Sequence, residues 1–391
     1  MPTPETNQTG PEFRGPGSSD WRSLAAGDAG DHGQQAVRKH ETELNHLLLT
    51  SLQMQHVVVL AGLGCSLEAA GPSMLDLWTQ AVGGDPTDAA QATAKKVNHD
   101  LADKNIEAFL SRVEAFLHVT DDDDVLQFWR ASKGHILALC SQFLEVDNLE
   151  THKTFLHRLS RRRVRDQRLK VFTTNYDLCF ERAASELGGV ALDGFSFSVP
   201  RRYDPRFFNY DIIRRPRSGD DSGSYLEGVF LLYKLHGSVN WARAGDTILE
   251  KEQPEPDEAC LIYPAGGKYQ QSFVQPHLES MAQYLAAVRE PNTCVLVVGF
   301  GFNDYHLAEP LLAAAKTNPH LRLIVVDPMS KENENNGNRY WRQFFALSHR
   351  GEDVSFVNAT FQDFAQRVPD LKSLTPAENL ANAIQGVARE Q

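Results

Sequence analysis

The stretch Val57–Pro72, VVVLAGLGCSLEAAGP, decides the fold. Four apolar residues, Val57 to Leu60, form a run bounded by turn-prone sequence, the pattern of a strand buried on both faces. The run breaks into Ala61-Gly62-Leu63-Gly64-Cys65-Ser66 and passes into the helix-compatible LEAA. A strand, a glycine turn and a helix start in that order bring backbone N–H groups and the positive end of a helix dipole to one point, which suits a phosphate. The loop reads GxGxSxxxxxP, with Leu67 where the usual dinucleotide fingerprint has its third glycine. Two readings of Gly62, Gly64 and Ser66 therefore stand side by side, a pyrophosphate grip and a tight turn without a ligand.

The chain has 391 residues and a net charge of −12, from 39 Lys+Arg against 51 Asp+Glu. That balance argues against a general nucleic-acid surface while leaving room for a local basic groove. Five cysteines, Cys65, Cys140, Cys179, Cys260 and Cys294, form no CxxC pair and suggest neither a zinc ribbon nor a disulfide framework. No apolar run approaches the roughly 20 residues of a membrane span, and no basic-then-apolar leader opens the sequence. The expectation is a soluble, cytoplasmic protein without a membrane segment.

Residues 1–36 are rich in Gly, Ser, Pro, Asp and Thr and are expected to be a disordered N-terminal arm. Residues 37–375 read as one domain, with a helical insertion at about 84–150 in which Ile106, Phe109, Leu110, Val113, Phe116 and Leu117 follow helical spacing. Residues 376–391 read as a C-terminal helix or tail. Asp121–Asp124 is expected to serve a helix N-terminus rather than a metal. Arg161-Arg162-Arg163 reads as a basic helix end, with a nucleic-acid contact as the alternative. Further strands are expected at 170–174, 229–235, 293–298, 321–326 and 354–357, alternating with helices. The fold class is therefore α/β, a mainly parallel sheet with helices on both faces. The long irregular segment 195–228, which mixes arginine with aromatics, is expected to cover a site or bind a partner.

Polar groups collect just after the strands: Gly62, Gly64 and Ser66; Asn175 and Asp177; His236; Gly299, Gly301 and Asp304; and Asp327. In an open parallel sheet all of them face the crevice outside the carboxyl ends of the strands. Singly, Asn175 could be a helix N-cap and His236 a satisfied strand-end histidine. Together in one crevice they make a candidate site, in which the amide of Asn175 can hold a water or hydroxyl and His236 can accept its proton.

The series GLGCSLEAAGP, TTNYD, KLHGS, VGFGFND and VVDP resembles the sirtuin (silent information regulator) family, and most of all its prokaryotic NAD-consuming branch used in anti-phage defence. The resemblance spans about residues 40–330. It implies a Rossmann-like sheet with a helical insertion, and NAD as substrate with no metal. It implies Asn175 and His236 as catalytic residues, Gly62, Gly64 and Ser66 at the pyrophosphate, Asp177, Gly299, Gly301 and Asp304 along the NAD, and Asp327 near the adenosine end. Leu63 stands where the family commonly has alanine, and Ala70 where it has glycine. The four-cysteine zinc module of the family's deacylases is not matched, since only Cys260 follows the HG motif. The activity implied is NAD glycohydrolysis, by a homo-oligomer paired with a HerA-type ATPase. The alternatives are a non-catalytic NAD- or ADP-ribose-binding scaffold and, from the arginine-rich segments alone, a nuclease subunit with an uncertain nucleic-acid partner.

Overall fold

The computed structural model describes residues 10–25, 31–145, 148–162, 166–215, 225–264, 272 and 274–370. In chain order the strands are β1 (Glu12–Arg14), β2 (Arg22–Ser23), β3 (His56–Ala61), β4 (Leu169–Thr173), β5 (Val190–Leu192), β6 (Val229–Lys234), β7 (Gly237–Ala244), β8 (Thr247–Glu250), β9 (Ala259–Leu261), β10 (Thr293–Val298), β11 (Leu321–Val326) and β12 (Val354–Asn358). Nine of them form one sheet in the order β2-β1-β12-β11-β10-β3-β4-β6-β5. Every pairing from β12 across to β5 is parallel. The six expected strands are its centre, and the fold is α/β and Rossmann-like.

Apolar runs explain the central strands. In β3, Val57, Val59 and Ala61 enter one core layer, while Val58 and Leu60 enter the layer on the opposite face. Cys294, Leu296 and Val298 of β10 alternate with Val295 and Val297 in the same way. Each face is covered by helices, among them Glu150–Leu159 and Cys179–Glu186 on one side and Tyr305–Thr317 and Arg339–His349 on the other. From β3 the chain builds outward through β4 and β6, then returns to the other side of β3 and builds outward through β10, β11 and β12. That reversal opens a crevice at the carboxyl ends of β3 and its neighbours.

The insertion has its own core. Trp78, Phe109, Phe128 and Ile136 pack with Val239, Leu261 and Tyr263. The last three come from or follow a three-stranded antiparallel sheet, β8-β7-β9, that the sequence pattern did not reveal. Its strands mix polar residues such as Ser238, Asn240 and Arg243 among the apolar ones, so they lack a long apolar run. Asp122 caps the helix Asp123–Gln142, as expected of that acidic run.

The expected disordered arm is corrected for residues 10–25. There β1 pairs antiparallel with β12, and β2 pairs with β1. The physical reason is a set of anchors that composition hides. Phe13 is buried, and Arg14 is wholly buried, bonded to Glu334 at 2.8 Å, to His349 at 2.9 Å and to the carbonyl of Ser18 at 2.6 Å. The rest of the arm, at 1–9 and 26–30, and the tail expected at 376–391 lie outside the described residues. Among the described residues no helix is long and apolar enough to cross a membrane.

Arg14→Ala should cost about 2–3 kcal/mol, since it strips a partly buried carboxylate of its cation and opens a void beneath β1. The urea midpoint measures this, and an unchanged midpoint would mean that the edge strand contributes nothing to stability.

Candidate functional site

Four strand ends supply the site. Ser66 lies in the short helix Leu63–Leu67 that follows β3, and Asn175, Tyr176 and Asp177 follow β4. His236 follows β6, and Asp304 immediately precedes the helix Tyr305–Thr317 that follows β10. These side chains line one cavity of about 130 Å³, whose lining also includes Leu77 from the helix Met74–Ala81 and Cys140 and Phe143 from the helical insertion. The structure thus gathers Ser66, Asn175, Asp177, His236 and Asp304, as the sequence suggested. The glycines and Asp327 are not in that lining.

The orientation of Asn175 follows from its partners. Its Nδ2 donates to the carbonyl of Gly62 at 2.8 Å and to Ser66 Oγ at 2.6 Å. A carbonyl can only accept, so the amide nitrogen must be the atom on that side. Ser66 Oγ in turn donates to Asp177 Oδ2 at 2.5 Å, which leaves its lone pair for Asn175. Asn175 Oδ1 is therefore the amide atom available to a group in the cavity. Asp177 also accepts from the backbone N–H of Cys179 at 3.0 Å. Burial works against its charge, but Lys234 and these hydrogen bonds outweigh burial and hold its carboxyl below the usual carboxylate range.

His236 is held from two sides. Its carbonyl accepts from Ile262 N–H at 2.9 Å, and its Nε2 lies 3.2 Å from Nε2 of His306. Both rings are buried, so one nitrogen of the pair must donate and the other accept. His306 was missed in the sequence; its only signal was its place in the first turn after VGFGFND. Gly237 must be glycine, because its φ is +84° and a Cβ would stand 2.0 Å from the carbonyl oxygen of Cys260.

The glycine loop does something other than expected. The N–H groups of Gly62, Gly64 and Cys65 already donate to the carbonyls of Val298, Gly299 and Gly62. A Cβ on Gly64 would lie 2.6 Å from the Cα of Gly299, and one on Gly62 2.5 Å from its oxygen. The glycines serve the contact between the β3 and β10 loops, and the reading of this loop as a row of open donors is corrected for those three amides. Gly301 adjoins Asn338, which donates to its carbonyl at 3.0 Å. Asp327 follows β11 directly and accepts from Met329 N–H at 2.8 Å. Burial pushes its carboxyl up to about 6.

The arginines offered to a nucleic acid are partly spent inside the fold. Arg162 donates to the carbonyls of Leu52, Met54, Gln55 and Gln167. Arg201 is paired with Asp193 and Glu250. Those partners take up much of the hydrogen-bonding capacity of both guanidinium groups.

Residues 169–346 match the family described as the SIR2-like domain. The span takes in β4, Asn175, Asp177, His236, Gly299, Gly301, Asp304 and Asp327, and it begins after the glycine loop. No curated protein matches the chain. Among solved structures, a sirtuin studied for the basis of its substrate affinity is 14% identical, over 83% of this chain and 96% of its own, with a TM-score of 0.43. A Sir2 homologue in complex with NAD is 13% identical, over 83% of this chain and 91% of its own, with a TM-score of 0.43. A mutant Sir2 homologue with 2′-O-acetyl ADP ribose is 13% identical, over 85% and 98%, with a TM-score of 0.42. Likenesses at this level assign no role to any residue here.

Gly64→Ala should destabilise the protein by about 1–3 kcal/mol through overpacking against Gly299, read from urea unfolding. A cost near zero would show that the two loops can separate freely. Asp327 binds its proton more tightly folded than unfolded, so its carboxylate should subtract stability progressively as pH rises from about 4, near the ordinary value of 3.8, to about 6. Asp327→Asn should remove that decline, and melting temperatures at pH 4.5 and 7.5 measure it. An equal decline in both proteins would place the cause elsewhere.

Proposed function

We propose that this chain is an NAD glycohydrolase, which cleaves NAD with water into nicotinamide and ADP-ribose. The observation that carries the reading is the convergence of Asn175, His236 and Asp304 on one cavity at the crevice of the sheet. The match of residues 169–346 to the SIR2-like domain supports NAD as the substrate.

Breaking the bond between nicotinamide and ribose sends the bonding pair to the pyridinium, which leaves neutral, and positive charge gathers on the ribose. The protein's task is to stabilise that charge and to orient a water. Asn175 Oδ1, fixed outward by Gly62 and Ser66, accepts a hydrogen bond from that water or from a ribose hydroxyl. Asp304 adds a carboxylate beside the cavity. His236, as neutral imidazole, takes the proton the water loses as its oxygen bonds to the ribose carbon. Polar lining from Ser66 and Thr174 and apolar lining from Leu77 and Phe143 suit a flat, amide-bearing ring.

A second reading, a non-catalytic scaffold that binds NAD or ADP-ribose, draws on the paired amides of the glycine loop, which leave a pyrophosphate fewer donors. The resemblance extends the first reading to NAD depletion in anti-phage defence by a homo-oligomer that works with a HerA-type ATPase. Co-purification of the two proteins tests that extension.

Asn175→Ala and His236→Ala should each lower kcat for nicotinamide release by about 10²-fold or more, followed by chromatography of NAD reaction mixtures. Turnover at the wild-type rate in either variant would overturn the mechanism. Binding of NAD or ADP-ribose by calorimetry with no turnover in the wild type would favour the scaffold.

A further inference from the structure

Behind His236 stands a second imidazole that the proposed chemistry has not used. His306 occupies the first turn of the helix Tyr305–Thr317, and its Nε2 lies 3.2 Å from Nε2 of His236. The rings are 5.4 Å apart between centroids and inclined at 32°. His236 is 3% exposed and His306 8%. Only His236 belongs to the cavity lining, so the contact joins the cavity to a residue outside it. The turn that carries His306 is fixed in place. Leu307 and Ala308 are wholly buried, and their N–H groups both donate to the carbonyl of Asp304 at 3.0 Å. The hydroxyl of Tyr284 donates to the carbonyl of Leu307 at 2.9 Å.

We infer that His306 is a positioning residue: its Nε2 accepts a hydrogen bond from the Nε2 proton of His236, which leaves the lone pair of the His236 ring on Nδ1 as the base. The inference rests on His236 being the base of the proposed hydrolase. A neutral imidazole carries one N–H and one lone pair, so a proton on one nitrogen settles the character of the other. Two neutral rings that meet Nε2 to Nε2 hold one proton between them, and it belongs to one ring or the other. If it sits on His306, Nε2 of His236 is the acceptor and the His236 proton is on Nδ1. His236 then has no lone pair to offer a water. If it sits on His236, Nδ1 is basic.

The second arrangement also suits the charge that the reaction creates. As the water oxygen bonds to the ribose carbon and nicotinamide leaves with its bonding pair, the water's proton passes to Nδ1 and the Nε2 proton stays where it is. The imidazolium so formed donates to His306 in a charge-assisted hydrogen bond. His306 is suited to remain the neutral partner, because the positive end of the helix dipole disfavours a cation in the first turn.

Tautomers are read directly from ring nitrogen shifts in protein labelled with ¹⁵N-histidine, with the His236 signals assigned through His236→Gln. In the wild type at about pH 7 the His236 proton should sit on Nε2. His306→Phe fills much the same space and offers no lone pair. There the proton should redistribute toward Nδ1, and kcat for NAD should fall about tenfold or more while KM stays near wild type. His306→Gln, whose side-chain amide reaches as far as an imidazole Nε2, should restore the Nε2 proton and most of kcat. A residue that only packs would be replaced adequately by phenylalanine and not rescued by glutamine.

A wild-type His236 protonated on Nδ1, or on both nitrogens, would overturn the inference without recourse to any variant. Wild-type kcat in His306→Phe, a tautomer identical in all three proteins, or a glutamine that restores nothing would overturn it as well. If His306→Phe does not fold, His306→Leu is read in its place. If no protein turns over NAD while the tautomers behave as expected, the hydrolase reading fails and the pairing of the two rings stands.

Discussion

The loops after β3 and β10 touch backbone to backbone, and the rest of the site depends on that contact. Gly64 N–H bonds to the carbonyl of Gly299 at 3.0 Å, and Gly62 N–H to that of Val298 at 2.9 Å. The two strands lie side by side where the topology reverses, so their loops would otherwise diverge toward opposite faces of the sheet. Removing the side chains lets the loops close, and closure sets the carbonyl of Gly62 where Asn175 can reach it. Glycine here sets a distance between two pieces of the protein itself.

From that fixed carbonyl the polarity of the site is handed along. Gly62 and Ser66 take the amide hydrogens of Asn175, and Asp177 takes the hydroxyl hydrogen of Ser66. The cost of burying Asp177 is offset by charge and hydrogen bonds from below. Each group has one role left once its neighbour is assigned, so the network holds a single arrangement of donors and acceptors. The other half of the site, His236 with His306, is set by backbone geometry at Gly237 and by a neighbouring helix rather than by a carboxylate.

Much of this was legible in the chain, for physical reasons that differ by element. The six parallel strands announce themselves because burial on both faces demands unbroken apolar runs, as in Val57–Leu60 and Thr293–Val298. The residues that the structure brings to the cavity, Ser66, Asn175, Asp177, His236 and Asp304, stood out because each lies in the loop that follows such a run. The sequence left two readings of Gly62 and Gly64 open, since a turn that approaches a phosphate and one that approaches another backbone require the same missing Cβ. His306 was invisible because its meaning lies in His236, which stands across from it. The antiparallel sheet β8-β7-β9 and the strand at Glu12–Arg14 were missed because their buried positions include polar and charged residues and carry too little apolar periodicity. Arg14, which reads as a solvated charge in a polar arm, is one of the most deeply buried side chains described.

That first strand has a bearing on how the molecule is made. Glu12 faces Asn358 and Phe13 faces Val357, so the beginning of the described chain is completed by nearly its end. During synthesis Phe13 and Arg14 emerge with nothing to pair with, and they must wait until β12 leaves the ribosome, long after the strands of the centre have had time to assemble. Until then the β12 side of the sheet has no edge cover and Glu334 no guanidinium. The antiparallel closure is thus the late, long-range step of assembly, and it covers the β12 edge of the sheet with β1 and β2.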